Sequence, residues 1–343
     1  MVREKTSARF ARARAAGLGL LALAISACAP ETAPQGLESA TPQLTADSFI
    51  TRDGLHLPLR EWDAKNPVAV LIALHGMSDY SEAYDLPGPW WAEHGITTIA
   101  YDQRGFGHAP NPGIWAGGDV MRQDLDDCVD AAHAKFPGVP VFAIGESMGG
   151  AELLSALASE RPPRVDGAIL AAPAVWSRDD MPLSYRVVLW VGAHTFPWMH
   201  VSGNGLHIVA SDNIAVLRKL SRDPYFQHDA RVDQVYGLVN MMDAAHEATS
   251  KLTDPPPILL LHGERDEVVP LASTRETIAA LGSRAEVRDY PDGYHMLMRD
   301  LDRAVVWKDI DAWIKQHAVP GGAAHSAAAD ITRKSVARGD QAG

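Results

Sequence analysis

Three groups of residues in this chain have types and an order that could carry covalent chemistry: Gly145-Glu146-Ser147-Met148-Gly149, the acidic stretch Glu264-Arg265-Asp266-Glu267, and His295. A serine hydroxyl is a weak nucleophile at neutral pH. It needs a base to accept its proton and a carboxylate to orient and stabilise that base. Ser147 is the expected nucleophile, His295 the expected base and Asp266 the expected orienting carboxylate, with Glu264 and Glu267 as substitutes for the acid. The tetrahedral intermediate of acyl transfer also needs two donors aimed at its oxyanion. The backbone N–H groups of Met148, directly after the serine, and of Met77, in the loop after His75-Gly76, are placed for that role. His75 sits at a strand terminus, which favours stabilising its own loop over acting as a base.

These groups must be brought to one edge of a scaffold. The apolar run Val139–Ile144, then G-x-S-x-G, then a helix-prone stretch from Gly150 reads as a nucleophile elbow, a turn that holds the serine out of the strand plane. Further apolar runs, at 68–74, 97–101, 167–172 and 258–261, are bounded as strands buried on both faces would be. Residues 285–290 offer a last strand. Helical patterns at about 80–94, 119–135, 148–160, 271–281 and 304–317 alternate with them. The alternation predicts an α/β fold, a mostly parallel central sheet flanked by helices. Residues 48–62 alternate around Asp53-Gly54, the signature of an opening antiparallel hairpin. The rhythm breaks between 174 and 253, where Trp176, Tyr185, Trp190, Phe196, Trp198, Tyr225, Phe226, Tyr236, Met241 and Met242 suggest a helical cap over the sheet edge that carries the elbow.

The N-terminus has its own logic. Basic residues between Arg3 and Arg14 precede an apolar run of 13 residues, 15–27, short of the roughly 20 that span a bilayer. The layout predicts a signal peptide over 1–27. Ile25-Ser26-Ala27-Cys28 resembles a bacterial lipobox, which implies cleavage before Cys28, lipidation of its thiol and a lipid anchor in the cell envelope; with Ala29 rather than aspartate following, the resemblance implies the outer membrane. Residues 28–45, rich in Pro, Thr, Ser and Gln, read as an extended lipidated tether. The α/β core is expected in two stretches, 46–173 and 254–318, with the cap inserted between them over 174–253 and a disordered tail over 319–343.

Residues 1–27 hold five basic and one acidic residue. Without them, 26 Lys and Arg stand against 42 Asp and Glu, a formal charge of −16, which disfavours nucleic acid as a partner. Beyond Cys28 only Cys128 remains, on the apolar stripe Leu125, Val129, Ala132, a core position rather than a chemical one. No H-E-x-x-H pair is present, and Asp124, Asp126 and Asp127 lack the glycine and terminal glutamate of a calcium loop; they read as a solvated helix start. Neither metal nor cofactor is expected, and nothing in the sequence sets an oligomeric state.

The order Ser, Asp, His is that of the α/β-hydrolases. Over roughly 48–318 the chain resembles their monoacylglycerol lipase and lysophospholipase branch. The motifs that carry the likeness are His75-Gly76-Met77, Tyr101-Asp102-Gln103-Arg104-Gly105-Phe106-Gly107, Gly145-Glu146-Ser147-Met148-Gly149-Gly150, Ser221-Arg222-Asp223-Pro224, His262-Gly263-Glu264-Arg265-Asp266 and Gly293-Tyr294-His295. The resemblance implies a serine hydrolase acting on the ester of a small single-chain lipid. A short-chain esterase or peptidase with the same triad, and a non-catalytic scaffold lipoprotein, are the alternatives. The chain departs from the pattern in the cap, at Phe196-Pro197-Trp198-Met199-His200 and Gly203-Asn204-Gly205, so acyl-chain length stays open.

Overall fold

The computed structural model describes residues 29–203, 205 and 208–318. The expected signal peptide over 1–27, Cys28 and the tail after 318 lie outside the described residues. Among those described, strands β1 (Gln43–Leu44), β2 (Ser48–Ile50), β3 (His56–Trp62), β4 (Ala69–Leu74), β5 (Ile96–Tyr101), β6 (Val141–Glu146), β7 (Gly167–Ala171), β10 (Ile258–Gly263) and β11 (Ala285–Tyr290) form a nine-stranded sheet in the order β1-β2-β3-β5-β4-β6-β7-β10-β11. Pairing is antiparallel from β1 to β5 and parallel from β5 onward. This is the α/β-hydrolase architecture.

Period-two alternation divides the sheet between two cores. Val70, Ile72, Leu74, Val141, Ala143, Ile258 and Leu260 face one side, where they meet helices α2 (Gly118–Lys135), α3 (Met148–Leu157), α6 (Val232–Lys251) and α7 (Leu271–Leu281). Leu71, Ala73, Phe142, Ile144, Leu259 and Leu261 face the other, against α1 (Pro87–Glu93) and α8 (Arg303–His317). Both faces are covered, which is why these strands read as continuous apolar runs. Strand β4 leads out to β5 on one side, and the chain returns through α2 to β6 on the other. The connections diverge between β4 and β6, the place where open α/β sheets leave a crevice at their strand ends.

Three expectations need correction. Val232–Lys251 is not cap: β7 and β10 are parallel neighbours and require a crossover, which α6 supplies, burying Met241, Met242, Ala245 and Ala248 in the body. The cap proper is α4 (Leu183–Thr195), α5 (Ile214–Leu220) and a short ladder of β8 (His200–Val201) with β9 (Ala230–Arg231). Asp124, Asp126 and Asp127 are buried rather than solvated: Asp124 takes two bonds from Arg104, and Asp127 pairs with Arg52. The described residues of the tether are docked onto the domain, with the Ala33 N–H donating to the Trp115 carbonyl at 2.8 Å and Gln43–Leu44 added to the sheet. Tyr185, Trp190, Phe196, Trp198 and Tyr225 are among the cap's most exposed side chains.

Candidate active site

The elbow forms because two glycines remove the obstacles to it. A Cβ on Gly145 would lie 2.2 Å from the Gly149 backbone, and one on Gly149 would lie 2.5 Å from the Leu74 carbonyl oxygen. Ser147 between them adopts φ 53° and ψ −112°, a conformation that costs a non-glycine residue about 1–3 kcal/mol and is tolerated where the surroundings fix it. Its N–H donates to Ala171, and its carbonyl accepts from Ala151 and Ala174, so backbone bonds hold it from three sides. Met148 is the first residue of α3, and its N–H has no carbonyl a turn earlier in the helix to bond. Gly76 lies directly against the serine, its Cβ position 3.2 Å from the Ser147 Cβ, so the loop that carries Met77 passes beside Ser147.

His75 belongs to that loop's framework. Its Nε2 accepts from the Gln103 N–H at 3.0 Å, so Nδ1 carries the proton and donates to the Gly76 carbonyl at 2.9 Å; the Gln103 side chain closes the arrangement on the His75 carbonyl. Burial holds this imidazole below its usual pKa.

His295 and Asp266 meet across the ends of β11 and β10. His295 Nδ1 donates to Asp266 Oδ2 at 2.8 Å, and both side chains are buried. Asp266 Oδ1 accepts from the N–H groups of Val268 and Val269 at 2.8 and 3.0 Å. Burial alone would raise this carboxyl's pKa, but the His295 bond and the two backbone donors outweigh it and hold the group below the usual range. The two other acids have different partners: Glu264 pairs with Arg275, and Glu267 accepts from the Val209 N–H. Among the described residues no hydrogen bond joins Ser147 to His295. The serine stands on the neighbouring turn of the same sheet edge.

What ties these turns together is a group that sequence reading missed. Arg299, four residues after His295 and fully buried, donates to Asp79 Oδ2 at 2.5 Å and to Glu146 Oε2 at 2.8 Å. Asp79 follows Met77 by two residues and Glu146 precedes Ser147, so one guanidinium clasps the Met77 loop, the elbow and the His295 loop. Asp300 extends the network, accepting from the Tyr294 N–H at 2.8 Å and from the Ser211 hydroxyl at 2.6 Å, which pins the cap's returning loop beside the histidine. The signal was a glutamate at the end of an apolar strand: a carboxylate forced inside requires a cation, and Arg299 is its partner. A cavity of about 380 Å³ opens beyond the clasp, lined by Asp79, Arg299, Leu86, Val216, Leu220 and Leu301 among others.

Residues 65–302 match the Hydrolase_4 family model, described as serine aminopeptidase, S33. The chain belongs to this family of α/β-hydrolases. It is 24% identical to human monoglyceride lipase over 306 residues, covering 86% of this chain and 98% of the human one. It is also 24% identical to the monoacylglycerol lipase of Mycolicibacterium smegmatis, over 79% of this chain and 96% of that one. Among solved structures, a soluble variant of the monoglyceride lipase of Saccharomyces cerevisiae in complex with a substrate analogue aligns with a TM-score of 0.67 and 19% identity, over 83% of this hydrolase and 99% of the yeast chain.

Proposed function

We propose that this hydrolase cleaves the carboxylic esters of single-chain lipids, monoacylglycerols or lysophospholipids, through an acyl-enzyme on Ser147. The observation that carries the reading is the buried Asp266–His295 pair at the sheet edge where Ser147 occupies its strained turn. Ser147 Oγ attacks the ester carbon while His295 takes its proton and Asp266 stabilises the imidazolium. The oxyanion is held by the Met148 and Met77 N–H groups. Collapse breaks the ester bond, His295 returns the proton to the leaving alcohol, and water activated by the same imidazole then releases the fatty acid. No cofactor enters either half-reaction.

Two observations favour a lipid ester: the names of the relatives, and the cap's exposed apolar face. A peptidase reading draws on the family description, and a short-chain esterase would use the same residues. The experiment is a chain-length series of 1-monoacylglycerols below their aggregation limits, beside lysophospholipids and aminoacyl amides. Each methylene moved from water into an apolar site contributes about 0.8 kcal/mol, so kcat/KM is expected to rise severalfold per carbon pair until the site is full. A flat or falling series, or preferential amide cleavage, overturns the lipid assignment.

The lipobox resemblance at Cys28 supports attachment of the enzyme to a membrane, in a bacterial envelope and at its outer membrane. A diacylglyceryl group plus an amide-linked acyl chain would give stable anchoring where a single chain is marginal. Mass spectrometry of the mature N-terminus is expected to find both on Cys28; an unmodified N-terminus elsewhere refutes the anchor.

A further inference from the structure

Helix α4 turns a broad apolar face to solvent. Of its 13 residues only Ala193 is buried, while Leu183, Tyr185, Val187, Val188, Trp190 and Val191 are exposed. Phe196, Trp198, Met199 and Val201 continue the surface at 45–53% exposure each. Scattered exposed hydrophobes are ordinary, but an aromatic-rich run of this extent marks an interaction surface. Leu183–Thr195 contains no acidic residue in a chain that is otherwise strongly acidic.

The segment that precedes the domain ends beside this surface. The Glu31 N–H donates to Asp233 Oδ2 at 3.2 Å, and its carboxylate accepts from Arg231 Nη2 at 2.8 Å. Arg231 pairs with His200 across the β8–β9 ladder, the Val232 N–H donates to the Met199 carbonyl at 2.8 Å, and the Asp233 N–H donates to the Pro197 carbonyl at 3.1 Å. Glu31 is thus bonded to the residues that hold 196–201 in place. Farther along, Ala33, Gly36, Ser39 and Ala40 are each tied to the body by their N–H groups. A flexible linker of the same 17 residues, 29–45, would let its ends wander over roughly 23 Å.

We propose that residues 29–45 form an orienting strap, which fixes the membrane end of the chain at the rim of the cap's apolar face so that one lipid bilayer receives both. The inference rests on the anchor reading of Cys28 given above. The occupant is a lipid surface because the strap's Glu31, three residues from Cys28 in sequence, is bonded beside the face and because aromatic and aliphatic side chains free of acids suit the headgroup boundary. The anchored enzyme is then held with its cap against the layer that contains its substrate.

The test uses the processed chain in phosphatidylcholine vesicles, with an environment-sensitive probe on Met199→Cys; Cys128 is buried and does not compete for the label. The probe is expected to report an apolar setting. A ten-residue Gly-Ser insertion between Ala29 and Pro30 leaves the strap's bonds intact but frees the anchor from it. That insertion is expected to lower probe insertion and hydrolysis of a vesicle-embedded monoacylglycerol severalfold, with turnover of a soluble butyryl ester unchanged. A probe that stays aqueous, or one equally inserted with and without the added linker, overturns the proposal. Failure of the anchor reading itself registers separately, as an unmodified N-terminus by mass spectrometry. In that case a phospholipid coupled to the Cys28 thiol, with vesicle-ester hydrolysis as readout, tests the strap alone.

Discussion

Replacing Ser147 by alanine is expected to lower kcat/KM on a monoacylglycerol by on the order of 10⁴-fold or more, and His295→Ala to do the same, while the double variant loses little beyond either. The near-identity of single and double losses is the signature of residues acting as one unit, since a base with no nucleophile to activate has nothing left to contribute. Asp266→Asn is expected to fall by a similar factor, because an amide removes the charge that stabilises the imidazolium and can hold the wrong tautomer. Glu264→Gln and Glu267→Gln serve as controls. Glu264 pairs with Arg275 and Glu267 holds the Val209 N–H, so neither loss reaches the His295 ring. Steady-state kinetics on the six variants decide the matter. Full activity in Asp266→Asn together with collapse in Glu267→Gln would reassign the acid.

Glu152→Gln is expected to stabilise the protein increasingly as pH rises. The Glu152 carboxyl lies on α3, five residues past Ser147, fully buried and with neither oxygen hydrogen-bonded. Burial pushes its pKa from 4.5 to about 8, with the Asp124 charge adding to the shift and Arg122 opposing it. The folded state therefore holds a proton that the unfolded chain releases. The stability associated with this group is fully present below pH 4.5 and is lost as pH climbs towards 8. A displacement of that size corresponds to about 5 kcal/mol. Urea unfolding of wild type and Glu152→Gln at pH 5, 7 and 9 measures it. The glutamine variant should gain over wild type progressively across that series, and a difference independent of pH would show that the carboxyl titrates normally.

Much of the fold could be read from the chain because each strand carries its own local signal. Val68–Leu74, Val139–Ile144 and Ile258–Leu261 are continuous apolar runs for the physical reason that helices cover both faces of the sheet. The elbow was equally legible, since its two glycines are required by backbone approaches of 2.2 and 2.5 Å that no side chain permits. His295 and Asp266, preferred over Glu264 and Glu267, were singled out from their places at strand ends, and the structure joins that pair by a 2.8 Å hydrogen bond. What stayed hidden depends on contacts between distant residues. Arg299 bonds to Asp79, 220 positions away, and to Glu146, 153 away, and such pairings leave no periodic trace. The same applies to Asp124 and Asp127, whose acidity suggested solvent until Arg104 and Arg52 were seen to enclose them. The strap misled for a related reason. Its proline-rich composition describes an extended chain correctly but says nothing about where an extended chain lies. In the cap, aromatic content gave the amount of apolar surface and not its direction, and much of it points outward.

The central claim is that Ser147 is the nucleophile. An alkyl fluorophosphonate, which traps an activated serine as a covalent phosphonyl ester, followed by peptide mass spectrometry of the full chain tests it directly. The expected result is a single adduct on the peptide that contains Ser147, absent from Ser147→Ala and from enzyme pre-saturated with a long-chain monoacylglycerol. Labelling at a different residue, or no labelling of a protein that still hydrolyses the ester, would contradict it.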